Sequence, residues 1–237
     1  MQQITVSGIT FELIRKDIKT IRLTVYAPDG RVRVSAPVRV GEDTVKQFVK
    51  SKLPWIRRRL IKFEGSERLT QREYKNRESH FFQGERYLLD VIETQGRPKV
   101  EVRGAYLDLY IKPGSGREKR HDVMNAFYRR EMKKQLPDII DKWEKEMKIS
   151  AGEVRIRQMK TRWGSCNIKK KRIWLNLELA KKPLPCLEYV VVHEMTHYFE
   201  RLHNSSFKTI LSSYLPDWRE LKDQLNRFPV SHTEWNY

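Results

Sequence analysis

Polar and apolar residues alternate in three short runs near the start of the chain: Ile4-Thr5-Val6, Ile21-Arg22-Leu23-Thr24-Val25 and Val32-Arg33-Val34. A period of two marks strands buried on one face. Pro28-Asp29-Gly30 lies between the last two runs and predicts an antiparallel hairpin. From Asp43 to about Phe63 the period lengthens. Val45, Phe48, Val49, Leu53, Ile56, Leu60 and Phe63 share a helical face, Lys and Arg crowd the other, and Pro54 should start a new turn or kink the helix. The polar stretch from Gly65 to Asn76 reads as a linker.

A second group of strands is expected at Tyr87 to Ile92, Lys99 to Val102 and Tyr106 to Ile111, closed by the break Pro113-Gly114-Ser115-Gly116. Met124, Tyr128, Met132, Leu136, Ile140, Trp143 and Met147 then recur mostly every four residues and predict a long helix that packs a core, with a kink at Pro137. Val154 to Met159 and Arg172 to Leu179 read as two strands flanking a turn. Pro183-Leu184-Pro185 suits the first turn of a further helix. No repeat of fixed period stands out. The expected class is α+β, with a β-rich N-terminal half.

A chain of 237 residues is long enough to bury a substantial core, and 39% hydrophobic with 33% charged residues fits a globular protein. No run approaches the roughly 20 apolar residues of a membrane span, and the N-terminus lacks the basic-then-apolar layout of a secretory signal. No membrane association and a cytoplasmic location are therefore expected, with Cys166 and Cys186 as thiols. The net charge of +18 favours polyanions as partners, nucleic acid among them.

The chemistry concentrates in one place. Three of six histidines fall within His193-Glu194-Met195-Thr196-His197-Tyr198-Phe199-Glu200-Arg201-Leu202-His203. The first five residues form the H-E-x-x-H pattern, in which imidazoles four apart share one helix face and reach one tetrahedral zinc, while the intervening Glu is free to take a proton from water. The apolar Tyr189-Val190-Val191-Val192 places this helix in the interior, where two unpartnered imidazoles and a carboxylate would be costly. A bound metal removes that cost.

His203 is the expected third ligand, provided the chain leaves the helix first, since six further helical residues would rotate it about 240° away. Asn204, through a left-handed backbone, and Ser205 or Ser206, as a cap for a helix beginning near Phe207, suit such an exit. Glu200 and Glu220 stay open as alternative ligands. A metzincin is excluded, because Glu200 stands where that pattern has Gly and no Met follows Met195.

Arg162-Trp163-Gly164-Ser165-Cys166-Asn167, the run Ile173-Trp174-Leu175-Asn176-Leu177, the H-E-x-x-H pair, and His203-Asn204-Ser205 with Phe207 together resemble the YgjP-like metal-dependent hydrolases, relatives of the SprT-like metallopeptidases. Val32-Arg33-Val34-Ser35-Ala36-Pro37 and Trp55-Ile56-Arg57-Arg58 add to the likeness, which spans most of the chain. Tyr198-Phe199 departs from the leucine-rich version of the motif. The resemblance implies zinc on His193, His197 and His203 with Glu194 catalytic, and a zincin-like domain over residues 114–237 after a β-rich region with one helix over 1–113. For the substrate it leaves open a peptide or protein and, as in relatives described as UTP pyrophosphatases, an anionic nucleotide.

Ten basic residues and one acid, Glu178, lie between Val154 and Lys182. If Asn167 to Lys171 forms a hairpin tip, a basic finger approaches the site; a solvated turn remote from substrate is the alternative. Arg162 by charge and Trp163 by stacking are candidate substrate contacts, although Trp163 also suits simple packing. Tyr198 and Tyr214 are candidate oxyanion donors with nothing to place their hydroxyls, and Cys166 reads as structural. A peptidase would offer an extended substrate an edge strand, for which Arg172 to Leu179 is the candidate. A nucleic-acid-associated protease is the third functional class.

Overall fold

The computed structural model describes residues 2–26, 30–64, 72–159 and 162–227. Pro28 and Asp29, most of the expected linker, and Lys160 lie outside them. The fold is α+β, and no described helix is long and apolar enough to cross a membrane.

By its contacts the chain divides into two compact units, Met1–Arg68 and Leu69–Tyr237. In the first, strands β1 (Gln2–Val6), β2 (Ile9–Lys16), β3 (Arg22–Val25) and β4 (Val32–Pro37) form a sheet of order β1-β2-β4-β3. The β3–β4 pairing is antiparallel, as the alternation predicts. Helix α1 (Glu42–Glu64) runs unbroken through Pro54, and Val45, Val49 and Ile56 bury its inner face against Phe11, Leu13 and Val34.

The second unit opens with β5 (Ser79–Phe82), β6 (Glu85–Glu93), β7 (Lys99–Arg103) and β8 (Tyr106–Ile111), in the order β5-β6-β8-β7. Each sheet thus consists of a hairpin, a parallel central pair and a second hairpin, followed by a helix. The first hairpin turns at Ser7-Gly8 in one and Gln83-Gly84 in the other, all four residues at positive φ. This repeat of topology escapes a fixed-period reading because the matching strands share an alternation and turn glycines rather than residue identities.

Helix α2 (Arg117–Met147) continues through Pro137 and packs on the β5–β8 sheet with one face and on the last third of the chain with another. One core therefore runs from Phe82 and Leu107 through Met132 and Trp143 to Val191 and Leu211. Pro113-Gly114-Ser115-Gly116 lies within the second unit by these contacts, next to that shared core.

The remainder comprises β9 (Glu153–Arg157), β10 (Gly164–Asn167), β11 (Arg172–Asn176), a 3-10 turn (Leu177–Lys181), α3 (Leu184–Thr196), α4 (Ser205–Tyr214) and α5 (Trp218–Arg227). The sheet order is β10-β11-β9, with β10 antiparallel and β9 parallel to β11. β11 is the central strand, its backbone groups occupied on both sides. The edges of this sheet are β10 and β9, not the Arg172 to Leu179 segment.

Candidate metal centre

Helix α3 starts where proline is tolerated: Pro183 is its N-cap and Pro185 lies in the first turn, where a missing N–H costs nothing. The helix is almost wholly buried, and the Thr196 hydroxyl donates to the carbonyl of Val192 at 2.8 Å. It ends at Thr196, with His197 at the C-cap. The N–H groups of Tyr198 and Phe199 then bond three residues back, to Met195 and Thr196, tightening the exit. The Glu200 carboxylate accepts from the Leu202 N–H at 3.0 Å and turns the chain back. Asn204 caps α4, its side chain accepting from the Phe207 N–H at 3.0 Å, with φ at −78°. The exit is thus made by Glu200 and a cap; no left-handed residue is needed.

This path brings His203 onto the helix pair. His203 Nε2 lies 2.9 Å from His193 Nε2, and one ligand nitrogen from each of His193, His197 and His203 falls within 4.8 Å of the others. Nδ1 of His197 faces the Glu200 carbonyl at 3.1 Å, which leaves Nε2 for the centre. Nδ1 of His193 is buried without a hydrogen-bond partner. The Phe207 ring backs all three imidazoles, with centroids 5.0, 4.9 and 4.7 Å away from His193, His197 and His203. Burial, then the neighbouring His197 and His203, push His193 down to about 3, and burial also lowers His203. Both rings are neutral near pH 7, the form that ligates a metal. Among the described residues neither Glu200, held low by the Leu202 N–H, nor Glu220, on the exposed face of α5, belongs to this cluster.

Glu194 is 5% exposed, and burial lifts its carboxyl to about 8 despite the opposing charge of Arg162. Its position depends on a residue the sequence did not flag as functional. A Cβ at Gly164 would stand 2.5 Å from Glu194 Oε1 and 2.7 Å from its Cγ, so only glycine lets the carboxylate lie along the first residue of β10. Asn176 holds the approach to that strand: its amide donates to the carbonyls of Met159 and Arg162, each at 2.8 Å, and its backbone N–H donates to the Trp163 carbonyl. A buried Asn at the end of a strand run was the available signal, and it looks like an ordinary polar residue until its partners are known.

The three histidines and Glu194 open onto a cleft of about 1020 Å³. Arg162 and Trp163 both line it. Trp163 also packs on the core, with the buried Lys182 ammonium 5.3 Å from its ring centre, so bracing and access to the cleft coexist. The turn between β10 and β11 spans residues 168–171, as a hairpin tip requires, and brings Lys169 to the cleft. The rest of the basic segment disperses. Arg155 and Arg172 pair with Glu153, Arg157 lies over Trp174, and Lys181 pairs with Glu178. The Tyr198 hydroxyl donates to the Ala151 carbonyl at 2.8 Å, and neither Tyr198 nor Tyr214 lines the cleft. Cys166 does line it, but burial raises its thiol to about 11, leaving it protonated and unreactive.

Residues 19–228 match the family model for the YgjP-like metallopeptidase domain. No curated protein matches the chain. Among solved structures, the metallopeptidase zymogen abylysin of Pyrococcus abyssi is similar, with 21% identity, 38% of this chain and 90% of that chain covered, and a TM-score of 0.35. The zymogen jannalysin of Methanocaldococcus jannaschii gives 22%, 38%, 91% and 0.34.

Proposed function

The chain belongs to the YgjP-like family of metallopeptidase domains, and from that premise we propose that it is a zinc-dependent peptidase with His193, His197 and His203 as ligands and Glu194 as general base. The donor set fits such an ion. Three imidazoles converge, two of their nitrogens face each other at 2.9 Å, and this contact leaves two lone pairs sharing one proton at best. A zinc ion supplies Lewis acidity, lowering the pKa of a water and polarising the scissile carbonyl.

The protein's own groups do the rest. Glu194 takes the proton from the attacking water and returns it to the leaving amine. Burial raises the proton affinity of this carboxylate, which strengthens it as a base. Gly164 gives the carboxylate room, and β10 offers its free edge to an extended peptide. A cytoplasmic location forms part of the same proposal, supported by two cysteines that remain thiols.

The observation that carries this reading is the convergence of three imidazoles beside a buried carboxylate of the same helix that lies against an edge strand. The test is Glu194→Gln. Zinc should bind with unchanged stoichiometry while peptide cleavage is abolished; cleavage at the wild-type rate would sink the assignment.

A further inference from the structure

Among the described residues four cations line the cleft, Arg162, Lys169, Arg201 and Lys222, and one carboxylate, Glu194. They come from four separate segments: the residue pair before β10, the turn after it, the loop between His197 and His203, and α5. All four are exposed, and none makes an ion pair among the described residues. Some cations of the same unit are neutralised in pairs, Arg155 and Arg172 sharing Glu153 and Lys142 on Glu188. A concave site in which the cations are all unpaired focuses a positive field on whatever enters.

We propose that the cleft selects polypeptide segments with Asp or Glu on both sides of the bond to be cut. The proposal rests on the peptidase reading and adds the substrate's chemistry. Arg162 and Lys169 stand beyond opposite ends of β10, whose four residues span roughly 10 Å at about 3.3 Å per residue. An extended peptide paired along β10 carries side chains towards each end, whereas a single phosphate group reaches only one of these cations. Arg201, in the loop between α3 and α4, and Lys222, on α5, line the same cleft as the histidines. Spread along a strand edge rather than gathered on one point, the cations suit carboxylates distributed along a chain.

The test uses the full-length zinc-loaded protein and three extended peptides of one sequence frame, flanked by Asp/Glu, by the isosteric Asn/Gln, or by Lys. Binding is read by fluorescence anisotropy on Glu194→Gln and cleavage on the wild type. Two or more surface charge contacts of a few-fold each give the acidic peptide an advantage of about tenfold over its Asn/Gln counterpart at low salt. Added salt should erode that ratio as the Debye length shrinks below about 10 Å. Lys169→Glu combined with Lys222→Glu should collapse or invert the ratio, while Lys169→Arg with Lys222→Arg should keep it.

Equal affinity for the acidic and isosteric peptides, or preference for the Lys peptide, overturns the inference. If no peptide is cut while the acidic one still binds preferentially, charge selection stands and the peptidase reading fails. UTP that displaces the acidic peptide and is itself hydrolysed assigns the cationic cleft to phosphates and overturns the proposal.

Discussion

Replacing Gly164 with Ala adds one methyl group at the point where β10 meets α3. The new carbon would lie 2.5 Å from Glu194 Oε1, 2.7 Å from Cγ and 2.9 Å from Cδ. Non-bonded carbon needs about 3.5–4.0 Å, so the pair must separate by roughly 1 Å. Backbone strain contributes nothing, because Gly164 is not among the residues at positive φ. The carboxylate moves, or β10 does. Overpacking of this kind costs about 1–3 kcal/mol, or several degrees in Tm for a unit of this size. Catalysis should suffer far more. A base displaced by about 1 Å loses on the order of a hundredfold in rate. The three atoms nearest the added carbon all belong to Glu194, so the histidines should hold zinc as before. The assay therefore pairs zinc stoichiometry and thermal unfolding with kcat and KM on a peptide substrate. The expected result is a full zinc complement, a modest fall in Tm and a kcat at least about a hundredfold lower. Wild-type kcat in a folded, zinc-replete Gly164→Ala would refute the idea that this glycine sets the position of Glu194.

Phe207→Ala removes the buried ring behind all three imidazoles; it should cost about 3–5 kcal/mol and weaken zinc binding about 10–100-fold, measured by unfolding and by competition with a chelator. Asn176→Leu strips the carbonyls of Met159 and Arg162 of their donors, so stability should fall by about 2–4 kcal/mol in denaturant titrations, with hydrogen exchange accelerated at Trp163 to Cys166. The pH dependence of the metal-free protein follows from Glu194, whose carboxyl is raised from 4.5 to about 8 by burial. Between those values the folded chain holds a proton that the unfolded chain has released, so this group's contribution is fully present below pH 4.5 and is lost as pH rises through 8. Metal-free Glu194→Gln should thus be more stable than metal-free wild type at pH 8, by about 2–4 kcal/mol, and should match it near pH 4. A constant difference across that window would show that the carboxyl titrates normally.

Local signals decided what depends on local spacing. Alternation gave most of the strands and period 3.6 gave the long helices, because each pattern needs only the chain's own geometry and a buried face. The pair His193 and His197 was legible for the same reason: residues four apart on a helix share a face whatever surrounds them. His203 could be assigned only conditionally, since its position depends on how the chain leaves α3, and that exit uses a carboxylate on a backbone N–H and an Asn cap acting together.

What sequence left undecided was set by contacts between distant segments. Gly164 and Glu194 are thirty positions apart, and nothing in either residue announces that a methyl group at one would strike the other. The place of β11 at the centre of its sheet, with β10 at the edge, follows from a parallel pairing with β9 that alternation does not encode. The dispersal of the basic segment has the same origin. Contiguous charges in the chain alternate between faces of strands and turns, so only the packed structure determines that Lys169 meets the cleft while Arg155 is held by Glu153. Chemistry carried within one helix is written in one stretch of residues, and chemistry assembled across a cleft exists only after the chain has folded.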